Sequence, residues 1–177
     1  MIKRRLMSNH FIIWGSLLIA MIGVGSKEVI AETLENARVE ELFKALRDVQ
    51  DRPPELGVQF PELTWDDIPA LLKLSESRRF LSHYISNPIS SRHEPKVREG
   101  LYALWLIEGI RKGGDFPSQN PICITEGHKL EVEFDITDQA QKELSSAYTS
   151  WWRNHDTLSQ KELAKQNPLK DTKYSWR

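Results

Sequence analysis

The sequence predicts an all-α or α-dominated fold, which is a compact helical bundle either alone or with one small β-hairpin. Three segments carry this prediction, near residues 33–50, 95–112 and 137–152. In each of them apolar residues recur at spacings of three and four, which is the period of one helix face. Prolines and glycines separate the segments, as expected for helices joined by loops.

The first mature helix is predicted at residues 33–50. Its apolar positions fall on one face and charged residues fill the other. Thr33 is a suitable N-cap residue, and Pro53 and Pro54 prevent continuation. A loop rich in proline follows, and Thr64 is the predicted cap of the next helix.

Asp66 and Asp67 allow two interpretations. Carboxylates in a first helical turn are favoured by the positive end of the helix dipole. As a catalytic pair they would be adjacent and would diverge on a helix, so the start of a helix is the favoured interpretation. The following segment, 78–91, is ambiguous: Phe80, Leu81 and Tyr84 are compatible with a continuing helix that Asn87 and Pro88 end.

Residues 95–112 are predicted to form the central helix. The segment is apolar on nearly every side, which is typical of a buried helix. Gly113 and Gly114 end it, and Arg111 and Lys112 lie near its negative end. Glu108 falls on the apolar stripe of Leu101 and Leu104, so it needs a cation or several N–H donors as partners. Arg111 and the backbone of the loop that begins at Asp115 are the candidates, and a catalytic acid is the alternative role for Glu108.

Short extended segments are predicted at residues 122–124 and 130–134, where they are placed to pair as a hairpin around Gly127. The last clear helix starts at Thr137 and carries Tyr148, Trp151 and Trp152. These two tryptophans point about 100° apart on a helix, so one is expected in the core while the other packs the C-terminal tail or stacks on a ligand. A short polar helix is expected within residues 156–166, followed by a loop-rich tail.

The N-terminus reads as a secretory signal peptide at residues 1–31. A basic start is followed by an uncharged apolar stretch, 11–25, which is short for a membrane-spanning helix. We place cleavage after Ala31, with an alternative site within 23–26 and an uncleaved membrane anchor as the competing interpretation. The mature chain, 32–177, is then a single domain in the periplasm or outside the cell.

The net charge of the mature chain indicates which classes of partner to expect. Cleavage removes four basic side chains (Lys3, Arg4, Arg5 and Lys27) and one acidic side chain (Glu28) from totals of 24 and 25, which leaves 20 and 24 and a net charge of −4. That charge argues against nucleic acid. Membrane association is expected only if residues 11–25 are retained.

Cys123 is the single cysteine, so no internal disulfide forms, and it is interpreted as a buried inert thiol rather than a reactive or intermolecular one.

No catalytic or cofactor motif is present in the sequence. It has no G-x-S-x-G, H-E-x-x-H, C-x-x-C or phosphate-binding glycine loop, and no pair of mature histidines has metal-ligand spacing on a helix. We therefore expect no cofactor and no metal. The favoured function is a non-catalytic module that binds a protein or glycan. The candidate binding residues are Tyr148, Trp151, Trp152 and Glu108. The alternative is a small hydrolase-like enzyme that uses Glu108 as its acid.

Two segments resemble a HEAT-like helix pair. They are the pattern W-x-D-I-P-A-L-L at residues 65–72 and VREGLYALW at residues 97–105. The segments 87–91 and 116–121, together with A-Y-x-x-W-W at 147–152 and N-P-L at 167–169, resemble an uncharacterised bacterial family of exported domains. The resemblance covers roughly residues 60–177 and implies a helical fold, but it brings no known activity or catalytic residues. One or two such units are too few for a solenoid.

Overall fold

The computed structural model describes residues 37–48, 59–90, 96–125 and 136–177. Helices account for 47% of these residues, which confirms the helix-dominated class. The predicted signal segment, Val49, Gly127 and the predicted strand at 130–134 lie outside the described residues. None of the described helices is long and apolar enough to cross a membrane.

Helix α1 is described over residues 37–47, where Val39, Phe43 and Leu46 are buried on the predicted face. A 3-10 turn at Trp65–Asp67 leads into α2 at Ile68–Leu74. The backbone N–H of Thr64 donates to the Asp67 carboxylate at 2.7 Å, so Asp67 helps to begin this helix as predicted. That carboxylate also lies 3.4 Å from Arg38 of α1 and links the two elements.

The central helix, α3, is shorter than predicted and spans Glu99–Arg111. Every residue from Glu99 to Ile110 is buried, which confirms the core position expected for this helix. It ends as predicted at Gly113 and Gly114, whose φ angles of 100° and 89° lie in the left-handed region that glycine tolerates.

The predicted start of α3 near residue 95 is wrong because Val97–Arg98 forms a strand, β2. It pairs antiparallel with β1 at Phe80–Leu81. The possibility of a helix continuing through residues 80–85 is therefore wrong as well. Pairing between distant segments overrides the local helical pattern on both sides of this ladder.

A second two-stranded sheet joins β3, Cys123–Thr125, to the C-terminal strand β4, Tyr174–Trp176. The described partner of β3 is thus the end of the chain rather than the segment expected across Gly127. Helix α4 spans Asp138–Trp152 and packs on α2 and α3, with Thr137 as its cap, and α5 follows at Gln160–Lys165. The segment predicted as a loop-rich tail therefore contains one strand.

Candidate aromatic binding site

Three indole rings meet where the C-terminal end of α4 packs against the start of α2. Trp151 lies 6.0 Å from Trp65, measured between ring centroids, and Trp152 lies 6.2 Å from it. The centroids of Trp151 and Trp152 are 5.9 Å apart. Trp151 is buried, whereas Trp65 and Trp152 are half-buried, so the cluster has one ring in the core and two rings at the surface.

His155 completes the cluster. Its imidazole stacks on Trp152 with ring centroids 4.4 Å apart and planes 3° from parallel. Nδ1 lies 2.8 Å from the carbonyl oxygen of Trp152, and Nε2 lies 3.1 Å from an oxygen of Asp156. Each ring nitrogen thus has a hydrogen-bond acceptor within reach, so the nitrogen that carries the hydrogen can donate in this orientation of the ring over Trp152.

A cleft of about 300 Å³ opens beside these rings and is called the tryptophan cleft. Its apolar walls come from the two surface indoles, and polar groups from Asp66 and Gln160 lie on its lining. The complete lining is Trp65, Asp66, Pro69, Trp152, His155, Leu158, Gln160 and Leu163. Aromatic faces with a few polar groups are the usual composition of a ligand site.

A second cleft, of about 430 Å³, is lined by Phe60, Pro88 and Phe116 together with Gln59, Gly114 and Asp115. Its two phenylalanines meet edge to face at 5.8 Å and pack on Trp105 of the core. The tryptophan cleft has two half-buried indoles on its lining, which offer more aromatic surface than these two phenylalanines, so it is the stronger candidate for packing against a ligand.

Glu108 lies in the interior with 3% of its surface exposed. Arg111 donates to both of its carboxylate oxygens, from Nε at 2.9 Å and from Nη2 at 2.5 Å. The hydroxyl of Tyr148 donates to the same carboxylate at 3.0 Å, and Lys112 approaches within 3.6 Å. The ion pair expected with Arg111 is therefore present, and both oxygens of Glu108 are occupied.

This ion pair connects the core to the C-terminal segment. Arg111 also donates to the backbone carbonyl of Ala164 at 2.6 Å, just before the end of α5. The indole N–H of Trp176 in β4 donates to the Tyr148 hydroxyl at 2.7 Å. Glu108 thus anchors two distant parts of the chain through neighbouring side chains.

The surroundings of Arg111 and Tyr148 keep the first side chain charged and the second neutral. The hydrogen bonds that Arg111 donates to Glu108 raise the pKa of the Arg111 guanidinium, so it stays protonated. Burial, followed by the negative charge of Glu108, raises the pKa of the Tyr148 hydroxyl well above its ordinary value. Tyr148 therefore remains a neutral donor to the carboxylate.

Cys123 lies at the start of β3 and is half-buried rather than fully buried as predicted. This partial burial raises the pKa of its thiol to about 12. A thiol with so high a pKa is almost entirely protonated at neutral pH and is a poor nucleophile. This agrees with its interpretation as an inert side chain.

The four predicted binding residues divide into two places. Tyr148 and Glu108 bond to each other in the interior, and Trp151 is buried with its N–H donated to the carbonyl of Leu163 at 3.1 Å. Trp152 alone of the four lines the tryptophan cleft. Its ring packs against Trp65 and stacks on His155.

Sequence reasoning did not select Trp65 and His155. The signal for His155 was its spacing of three residues from Trp152, which places the two side chains on the same side of a helical turn. Trp65 carries no comparable signal, because its contact with Trp152 is long-range. Within the described ranges, no group of three or more His, Cys, Asp or Glu side chains is placed to hold a metal ion.

Residues 33–177 match the family described as "Domain of unknown function (DUF4943)", and the chain belongs to that family. Neither a curated protein nor a solved structure matches the chain. The function is therefore inferred from the residues and geometry of the tryptophan cleft.

Proposed function

We propose that this domain is an exported, non-catalytic binding module that holds one sugar ring of a glycan in the tryptophan cleft. The observation that carries the proposal is the pair of half-buried indoles, Trp65 and Trp152, exposed along a cleft with polar groups. Sugar rings present one face of C–H groups, which pack favourably on the electron-rich face of an indole.

The polar groups of the cleft complement the hydroxyls of a sugar. Asp66 offers a hydrogen-bond acceptor, and Gln160 offers both a donor and an acceptor. A volume of about 300 Å³ lies at the lower end of ligand sites, which suits one ring of a longer chain.

The stacking platform is held in place before a ligand arrives. One face of Trp152 stacks on His155, and Trp65 begins the 3-10 turn that leads into α2. A preorganised site loses little side-chain entropy on binding. This favours recognition by a rigid surface over a site that forms around its ligand.

The hydrolase alternative uses Glu108 as an acid, and its surroundings do not favour that role. A general acid must reach the group that it protonates. Glu108 is buried, bonds to Arg111 and Tyr148, and does not line the tryptophan cleft.

The test is a glycan array probed with the exported protein, followed by calorimetric titration of the strongest ligand. Trp152→Ala should weaken binding about 30-fold, because an aromatic anchor in a binding site is worth about 2 kcal/mol. Phe80→Ala is the matched control, because it removes an exposed aromatic ring away from the cleft lining. Its affinity should equal that of the wild type.

Two results contradict the proposal. One is the absence of any bound glycan on the array. The other is a folded Trp152→Ala variant with wild-type affinity. Cleavage of the bound glycan that is lost in Glu108→Gln would instead favour the hydrolase.

Export is tested separately by sequencing the N-terminus of the protein recovered outside the cytoplasm. We expect a chain that begins at Glu32, since residues 1–31 read as a signal peptide. A membrane-bound chain that still contains Lys3, Arg4 and Arg5 would establish the anchor instead.

A further inference from the structure

The sheet formed by β1 and β2 has one buried face and one outer face. Leu81 lies opposite Val97 in the ladder, and both are buried. Phe80 lies opposite Arg98, so these two side chains share the outer face. Phe80 is 45% exposed, which makes it one of two large apolar side chains exposed in the described part of the chain.

Cations surround the Phe80 ring. The Lys96 ammonium lies 5.9 Å from the ring centroid, and the Arg98 guanidinium carbon lies 5.8 Å from it. Both distances are within the range of cation–π attraction. Arg78 and Arg79, which directly precede Phe80, are also exposed. Because side chains alternate along a strand, Arg78 shares the outer face with Phe80 and Arg79 does not, so within the described residues this face carries an aromatic ring and three cations.

Asp138, at the start of α4, offsets part of this charge. It pairs with Arg98 at 2.7 Å and with Arg78 at 2.8 Å, although the side chain of Arg78 remains 70% exposed. Phe80, Arg78, Lys96 and Arg98 together are called the cationic face. The face thus keeps positive charge in a domain whose mature chain has a net charge of −4.

We propose that this cationic face docks on an anionic phospholipid bilayer, with Phe80 at the level of the lipid headgroups. The face is a two-stranded ladder with a single projecting ring, which suits an extended surface better than a peptide or polymer that needs a groove. Lysine and arginine are attracted to anionic headgroups, and an aromatic ring favours the boundary between headgroups and acyl chains.

Docking would leave the tryptophan cleft accessible. The cationic face is tied to Asp138 at the first residue of α4, whereas Trp152 is its last residue. A helix of 15 residues is about 22 Å long, so the two surfaces lie at opposite ends of α4. The membrane contact does not depend on what binds in the cleft.

The test measures acetylation of Lys96 in the exported protein by a water-soluble reagent, with mass spectrometry as the readout. Vesicles of equal parts phosphatidylglycerol and phosphatidylcholine should slow acetylation of Lys96 several-fold relative to vesicles of phosphatidylcholine alone. Lys161, exposed on α5 near the other end of α4, is the internal control and should react equally in both. This readout applies whether or not residues 11–25 are removed.

Variants identify the charges responsible. Arg78→Gln combined with Lys96→Gln should weaken binding to the anionic vesicles about 30-fold, as expected for two basic side chains near a charged membrane. Lys161→Gln combined with Lys165→Gln changes the net charge equally and should bind as the wild type. Phe80→Ala should reduce binding with no change in charge.

Equal acetylation of Lys96 on both kinds of vesicle would overturn the proposal, as would equal weakening by the two double variants. Protection of Lys96 by soluble glycerol phosphate alone would also overturn it, since that result indicates a phosphate site rather than bilayer docking. Salt provides a further check, because screening should abolish the protection of Lys96.

Discussion

Removing the carboxylate of Glu108 should destabilise the domain severely. In Glu108→Ala the guanidinium of Arg111 loses two charge-assisted hydrogen bonds, of 2.9 Å and 2.5 Å, while it stays largely buried. The Tyr148 hydroxyl loses the acceptor at 3.0 Å. Breaking one side of a buried ion pair costs about 3–5 kcal/mol.

That cost is a large part of the free energy of unfolding, which for a domain is about 5–15 kcal/mol in total. For a domain of this size it corresponds to a fall in Tm of roughly 10–20 °C. Thermal denaturation followed by circular dichroism measures it directly. Glu108→Gln keeps the shape and an acceptor oxygen for Tyr148, so its Tm should lie between those of Glu108→Ala and the wild type.

A double variant separates the effect of the unpaired charge on stability from the effect of side-chain packing. Glu108→Leu combined with Arg111→Met replaces the ion pair by apolar side chains, which is often neutral for stability. It should melt above Glu108→Ala, although Arg111→Met also removes the bond to the carbonyl of Ala164. A Glu108→Ala variant that melts at or above the wild-type temperature would refute the structural role and make Glu108 the first residue to examine for activity.

Three further predictions follow from particular contacts. Gly100→Ala should lower the free energy of unfolding by about 1–3 kcal/mol in urea denaturation, because its Cβ would overlap the carbonyl of Ser75; equal stability would contradict this close packing. The pKa of the Cys123 thiol is raised from 9.0 to about 12 in the folded protein. At pH 8 the thiol should therefore react with iodoacetamide about a thousandfold more slowly in the folded protein than in urea. Similar rates in the two states would show an accessible thiol. Burial raises the pKa of Tyr102 and Tyr148 above 10.0, so their contribution to stability is complete below pH 10 and is lost as the pH rises further. Tyrosinate absorbance should therefore appear together with unfolding, and ionisation in a folded chain would contradict it.

The features that were predictable from the sequence are those whose cause is local. The all-round apolar pattern of residues 95–112 identified the central helix, and Gly113 and Gly114 identified its end. A carboxylate on an apolar helix face needs a cation or N–H donors, and this requirement predicted the ion pair between Glu108 and its neighbour Arg111. In each case the residues that determine the structure lie within one or two helical turns of each other.

The features that the sequence did not reveal depend on contacts between distant segments. The ladder between β1 and β2 converts Val97 and Arg98 from the expected helix into a strand. The end of the chain pairs with β3, a pairing that strands of three residues carry too little pattern to indicate.

The tryptophan cleft illustrates the same limit. Trp152 was singled out because aromatic residues on a helix suggest either packing or stacking on a ligand. Its partner Trp65 is brought to it by the packing of α2 on α4. A site assembled from two elements in this way is visible only once the fold is known.

The most direct test of the proposed binding site is an NMR titration of the protein, labelled at its indole nitrogens, with the glycan that binds most strongly on the array. The indole N–H signals of Trp65 and Trp152 should shift as the glycan is added. Those of Trp105, Trp151 and Trp176 should move less, since their N–H groups donate to Ser118, Leu163 and Tyr148 inside the fold. A glycan that shifts the signal of Trp105 or Trp176 and leaves Trp65 and Trp152 unchanged would contradict the assignment of the cleft.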